Sequence, residues 1–416
     1  MTDLRAKVLY YGDDMTGATD AMANFAEWGL ATRLVLDVDA VPAAAAEMDV
    51  VGVAGTARSL PSEAMAAELG PVLRTFTALD PPAVQYKICS TFDSTPAVGS
   101  IGRACELLRD VWGPGPIPVL AAQPGLGRWT FFGTHFASTA DGRVHRLDRH
   151  PTMATHPVHP ATEADLARAL AAQTDRLAVA SLHRPELERY PELSRTHDGP
   201  IVLDAICEAD LRRIGALLWS SAQEGRPLVT VGSGGLSSAL ASAITRQDAA
   251  PGPRVGSAPV LALSGSLAGE TRAQIERAVG AGWEVVDLLA TAADTAGKQA
   301  ATALAEGRSV VISSIGDPTR QAGTTERADG VGPLLTAAAL AAIDRARPAR
   351  VLVAGGDTSG TIMKGLGAVG LDYIARIGDT GAVCALRGGV IDGAQVVLKG
   401  GKIGGPEFFE RVRQGR

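Results

Sequence analysis

Short runs of β-branched and aliphatic residues recur along the chain, each followed by a Gly- or Asp-rich turn and then by an Ala/Leu-rich segment of helical period. A parallel α/β sheet reads this way, because strands covered by helices on both faces are apolar throughout instead of alternating. The pattern predicts strands at Val8–Tyr11, Val50–Ala54, Val119–Ala122, Leu228–Val231, Val260–Leu263, Val310–Ser313 and Val351–Ala354. One polar stretch rich in Pro and Gly, TRQDAAPGPRVGSAP at 245–259, interrupts the series as an interdomain linker does. We therefore expect an α/β protein of two lobes, 1–245 and 260–416, each built on a mainly parallel sheet flanked by helices.

Composition narrows the function. At 416 residues the chain exceeds what one core usually encloses, and 46% apolar residues are ample for two. Aromatics at 4% and a net charge of −6 argue against a nucleic-acid partner, which needs a basic face and stacking surfaces. The four cysteines, Cys89, Cys105, Cys207 and Cys384, show no C-x-x-C spacing, so neither a disulfide framework nor a thiolate zinc site is expected. No run of ~18 apolar residues and no leader-like start occurs, so we expect a cytoplasmic protein without a membrane partner. A homo-oligomer is compatible with the composition.

Candidate chemistry gathers where strands end, the place where open parallel sheets bind ligands. Asp13 and Asp14 follow the first strand, ahead of a helix predicted from about Thr16 to before Gly29. A carboxylate there can orient a sugar hydroxyl or take its proton, or it can simply cap the helix; both readings stand. In KICSTFDSTPAVGSIGRA, 87–104, Lys87, Ser90, Thr91, Asp93 and Ser94 crowd a strand end before a helix predicted from near Val98. That mixture suits a carboxylate ligand, with a solvated capping loop as the alternative. Arg58 is a third strand-end group, whose planar fork can pair with a carboxylate. Five of seven histidines fall between His135 and His159, where prolines and the lack of a His-x-x-x-His pair favour a loop over the substrate, with Arg149 and His150 near it, rather than a metal cluster.

Glycine turns come next. VGSGGLSSAL at 231–240 resembles a dinucleotide loop without its full spacing, and close packing explains it equally well. Three turns in the C-terminal part, around Ser264–Thr271, Gly355–Gly367 and Lys399–Phe409, precede helices, and the first two carry Ser and Thr hydroxyls. Together they favour a nucleotide cradle, with Asp357 placed to hold Mg²⁺ through water. No G-x-x-x-x-G-K-[ST] is present, so a P-loop is not expected. An NAD(P)-dependent oxidoreductase and a non-catalytic sugar-acid sensor are the competing readings.

Taken in order, GDDMTGATD at 12–20, KICSTFDSTPAVGSIGRA, VGSGGLSSAL, SGS at 264–266, GGDTSG at 355–360 and LKGGKIGGPEFF at 398–409 resemble the four-carbon acid sugar kinase family over essentially the whole chain. Relatives act on tetronates, 3-oxo-tetronates and 3-oxo-isoapionate. The resemblance implies a sugar-acid lobe followed by an ATP lobe, with the active site in the cleft between them, and ATP and Mg²⁺ as cofactors. It implies Asp14 and Asp93 as catalytic groups, and Asp13, Arg58, Lys87, Ser90, Thr91, Arg149 and His150 as ligands of a small anionic sugar acid. ATP would meet Ser264, Ser266, Ala268, Gly355, Gly356, Asp357, Thr358, Gly401 and Gly404. The chain departs from the family pattern at Ala268, where a small polar residue is usual, at Ala382–Cys384, and at His159 and Ala161, where Thr and Met are common.

Overall fold

The computed structural model describes residues 4–139, 141–222, 226–246, 253–316, 330–378, 381–401 and 404–416. It divides into two compact units, Met1–Pro251 and Gly252–Arg416. Residues 247–252 of the predicted linker lie outside the described residues.

In the N-terminal unit, strands β1 (Val8–Gly12), β2 (Thr32–Val35), β3 (Val50–Ala54), β4 (Ala83–Lys87) and β5 (Pro116–Leu120) precede a small excursion, β6 (Arg128–Phe131), β7 (Thr134–Ser138) and β8 (Val144–Arg146). The main sheet resumes with β9 (Ala180–Leu182), β10 (Gly199–Leu203) and β11 (Leu228–Gly232). Eight strands pair in the order β2, β3, β1, β4, β11, β5, β10, β9, and every pairing is parallel. Between them run helices α1 (Met15–Glu27), α2 (Val41–Glu47), α3 (Met65–Leu79), α4 (Ile101–Trp112), α5 (Leu166–Ala171), α6 (Tyr190–Leu193), α7 (Glu208–Ser220) and α8 (Gly234–Thr245). β1, β4, β10 and β11 are buried along their whole length, as strands covered on both faces must be.

Two boundaries differ from expectation. β5 starts at Pro116 and ends at Leu120, because β11 pairs with only Val119 and Leu120 and so leaves the two prolines without a ladder bond to make on that side. Helix α4 starts at Ile101, not near Val98: Gly99 has φ +61°, and only after it does Ser100 cap the helix by accepting from Arg103 N at 3.0 Å.

The C-terminal unit contains β12 (Val260–Ser264), β13 (Glu284–Asp287), β14 (Val310–Ser313), β15 (Arg350–Ala354), β16 (Gly370–Ile377), β17 (Gly381–Arg387) and β18 (Gln395–Lys399). Its helices are α9 (Gly269–Gly280), α10 (Ala293–Ala305), α11 (Val331–Ile343), α12 (Gly356–Gly365) and α13 (Phe408–Gln414). The order is β13, β14, β12, β15, β18, β17, β16, parallel from β13 to β18 and antiparallel beyond.

Each unit has a topological switch point. The connection after β1 runs toward β2 and that after β4 toward β5, on opposite sides of the sheet; β12 and β15 repeat this in the second unit. Crevices form at such points, beyond the carboxyl ends of the strands. Among the described residues, no helix is long and apolar enough to cross a membrane.

Candidate functional site

Register lines up the strand ends of the first unit. Gly12 is opposite both Ala54 and Lys87, and Gly232 is opposite both Lys87 and Leu120, so the loops after β3, β1, β4, β11 and β5 leave from one row. Backbone bonds extend the row: Asp13 N donates to Lys87 O at 3.1 Å, Arg58 N to Asp13 O at 3.0 Å, and Ile88 N to Gly232 O at 2.9 Å.

Asp13 and Asp14 diverge from this row, as adjacent extended residues do. Asp13 is buried and takes a two-pronged bond from Arg58, Nη2 at 2.6 Å and Nε at 3.2 Å. Burial pushes its carboxyl up to about 6, with Asp14 adding to the rise and Arg58 opposing it. Asp14 caps α1, its Oδ1 accepting from Gly17 N at 2.8 Å and its Oδ2 from Thr16 Oγ1 at 2.7 Å. The same Oδ1 lies 2.8 Å from Arg58 Nη2, so capping and ion pairing coexist. Lys87 is buried, donates to Ile88 O at 2.9 Å, and has Asp20 Oδ2 at 3.5 Å. A Cβ on Gly17 would sit 3.3 Å from both Arg58 Nη2 and Lys87 Nζ, which shows how closely the two cations flank the first turn of α1.

Tyr11 builds the loop that carries Arg58. Its hydroxyl accepts from Thr56 N and Ala57 N, each at 3.2 Å, and donates to Glu68 at 3.0 Å. After β4, Cys89 Sγ and Thr91 Oγ1 are 2.9 Å apart, and Thr91 Oγ1 donates to Asp93 at 2.7 Å. Burial would raise Asp93, but the Arg58 charge and hydrogen bonds from Thr91 and Cys89 outweigh it and hold the carboxyl below its usual range. Burial also lifts the Cys89 thiol to about 11. His135 bridges β7 to this turn, Nε2 to Ser90 O at 2.8 Å and Nδ1 to Thr130 Oγ1 at 2.9 Å; burial lowers it to about 4, so it is neutral.

The histidine-rich segment reaches the same place through His159, whose Nε2 is 3.0 Å from Arg58 O. His150 is buried and accepts from Thr152 N and Met153 N, whereas Arg149 is exposed on the surface. Ser94 faces α4 and not the aspartates, bonding Gln173 at 2.7 Å. Among the described residues no group of three or more His, Cys, Asp or Glu is arranged around a metal. Asp20 and Gln123, which meet at 3.2 Å, and Tyr11 are not among the residues expected from the sequence; Asp20 closes the GDDMTGATD motif, whereas Gln123 and Tyr11 carry no motif signal and are brought in by the sheet.

In the second unit the register again makes a row: Ser313, Ser264, Ala354 and Lys399 are successive partners. Gly265 N donates to Ala354 O at 3.1 Å and Gly355 N to Lys399 O at 2.9 Å, which clamps the three glycine turns together. Gly401 fits against Ser266, where a Cβ would fall 2.5 Å from Oγ, and Gly355 has φ +137° with a Cβ position 2.4 Å from Thr358 Oγ1. Ser266 Oγ accepts from Ala268 N at 3.2 Å. Ala268 leads into α9, whose first turn no side chain caps. Ser264 Oγ and Ser314 Oγ are buried without a hydrogen-bond partner among the described residues. Tight backbone, helix N-termini without a capping side chain and these two buried hydroxyls fit a polyphosphate ligand. Gly356 opens α12, and Gly404 O accepts from Gln274 at 2.8 Å. The Asp357 side chain lies outside the described residues.

Comparison with known proteins gives two family matches, a sugar-binding N-terminal domain over residues 8–240 and a nucleotide-binding C-terminal domain over residues 261–409. A 3-oxo-isoapionate kinase of Paraburkholderia graminis is 37% identical, covering 98% of this chain and 94% of its own. A 3-oxo-tetronate kinase of Methylobacterium radiotolerans is 31% identical over 96% of this chain and 97% of its own. Two solved structures share the fold: a Salmonella typhimurium LT2 protein provisionally called a tRNA synthase (TM-score 0.79, 24% identity, 99% of each chain) and a Haemophilus influenzae protein (0.73, 21%, 97% of this chain and 99% of that one).

Proposed function

The chain belongs to the four-carbon acid sugar kinase family, and from that premise we propose that it phosphorylates a hydroxyl of a small sugar acid with ATP, a 3-oxo-isoapionate-like acid being the first substrate to test. The observation that carries the reading is the convergence of Asp13, Asp14, Arg58 and Lys87 at the switch point of the unit matched as sugar-binding. Membership of a kinase family argues against the oxidoreductase alternative.

Each side chain has a part in this reading. Arg58 lies between Asp13 and Asp14 and orients both carboxylates. Lys87, with one carbonyl and a long contact to Asp20, is the cation left to meet the substrate carboxylate, helped by Ser90 and Thr91. Asp14 orients the attacking hydroxyl and accepts its proton. Asp93, kept ionised, holds a second hydroxyl. A loose phosphoryl-transfer transition state asks mainly for positioning and charge neutralisation, which these groups supply. In the C-terminal unit the turns at Ser264–Ala268, Gly355–Thr358 and Gly401–Gly404 hold ATP. Asp357 is the residue that would hold Mg²⁺, which would supply neutralisation of the phosphate charge. Arg149 and His150 belong to the loop beside the substrate.

The direct test is ADP release from MgATP with D- and L-threonate, D-erythronate, their 3-oxo forms and 3-oxo-isoapionate. Acid-dependent release with one member is expected. Asp14→Asn should abolish it while ATP binding persists; unchanged turnover in that variant would remove Asp14 from the role.

A further inference from the structure

Lys399, the last residue of β18, is 1% exposed and has no carboxylate within ion-pair distance among the described residues. Its ammonium reaches two acceptors, Thr271 Oγ1 at 2.9 Å and Gly401 O at 3.4 Å. Neither contact requires a lysine to hold the loop, because Thr271 Oγ1 itself donates to Gly401 O at 2.7 Å. An aliphatic side chain would fill the same space without the cost of desolvating a charge.

The ammonium also stands at an electropositive place. Thr271 lies in the first turn of α9, a helix of twelve residues with no side-chain cap, so Lys399 adds a charge where the helix dipole is already positive. Burial pulls the ammonium down to about 7, and Glu270 is the one carboxylate that opposes this. A buried ammonium beside the positive end of a helix, opposed by one partly exposed carboxylate, favours an anion that joins them. An ammonium has three donors, and two are used, which leaves one for that anion.

We propose that Lys399 is a phosphate-binding cation of the nucleotide site, directing its third N–H to the polyphosphate of ATP beside the first turn of α9. This rests on the reading that the Gly252–Arg416 unit holds ATP.

The test compares equilibrium binding of MgATP, inorganic tripolyphosphate and adenosine by the full-length protein and by Lys399→Met. The variant should bind MgATP and tripolyphosphate at least about tenfold more weakly, bind adenosine unchanged, and melt no lower than wild type. MgATP binding as tight as wild type, or parallel losses for adenosine and ATP, would overturn the assignment. A second measurement needs no variant: at about pH 8 the wild type should take up close to one proton on binding MgATP and none on binding adenosine, read from calorimetry in buffers of different ionisation enthalpy. Absence of uptake overturns the proposal. If wild type binds MgATP and adenosine but not tripolyphosphate, Lys399 alone is misassigned. If it binds none of the three, the nucleotide reading fails first and takes Lys399 with it.

Discussion

Asp13 shows how one buried carboxylate ties binding to pH. Its two-pronged partner Arg58 keeps it in place, yet burial raises it to about 6 from an ordinary 3.8. Below about pH 6 it gains a proton, Arg58 loses that grip, and kcat/KM for the sugar acid should fall with an apparent pKa near this value. Asp13→Asn should remove that limb of the profile; a limb that persists assigns it to another group. The stability effect has the opposite sense. Because the folded value exceeds the unfolded one, ionised Asp13 costs stability at neutral pH, and this cost is relieved as pH falls from 7 through about 6 toward 3.8. Asp93 is shifted the other way, so its contribution is full above its unfolded value and is lost only as pH falls through its lower folded one. Urea titrations of wild type and Asp13→Asn between about pH 4 and pH 7 should therefore lie furthest apart near pH 7, where only the wild type carries the buried charge, and converge toward pH 4 as Asp13 is protonated.

Elements matter here through their ends. In both units the parallel register aligns the carboxyl ends of neighbouring strands, and short turns carry that alignment into the loops. Gly401 illustrates how little slack this leaves, since an added methyl would meet Ser266 Oγ at 2.5 Å and Ala268 Cβ at 3.2 Å. Gly401→Ala must push the turn after β18 away from the turn after β12. We expect ATP affinity to drop by about tenfold or more, with a stability loss on the order of 1–3 kcal/mol, as overpacking gives. Sugar-acid binding to the other unit should be untouched. Calorimetric titration of each ligand checks this, and equal losses for both would mean general unfolding instead.

For the whole molecule, ligand linkage offers the broadest check. A ligand that binds only the folded chain stabilises it by about 2.7 kcal/mol at a hundred times its dissociation constant. MgATP should raise the melting temperature and NADH should not. The midpoint should climb steadily with MgATP concentration, and protection by NADH alone would reopen the oxidoreductase reading that the incomplete glycine fingerprint first suggested.

Apolar runs and glycine turns in the sequence were enough to specify an α/β protein with parallel strands, because a strand covered on both faces must be apolar along its length. The family motifs mark Asp14, Arg58, Lys87, Asp93 and the three glycine turns as candidate site residues. Boundaries were less legible: two prolines obscured the start of β5, and a left-handed Gly99 delayed α4. Only the tertiary structure could decide which polar groups share a neighbourhood. The cap on α1 is local and readable, but the sharing of Arg58 between Asp13 and Asp14 depends on β3 lying beside β1. Asp20 with Gln123, and Lys399 with Thr271, are 103 and 128 residues apart along the chain. No local pattern records such pairs, since strand order and register, not sequence distance, bring them together.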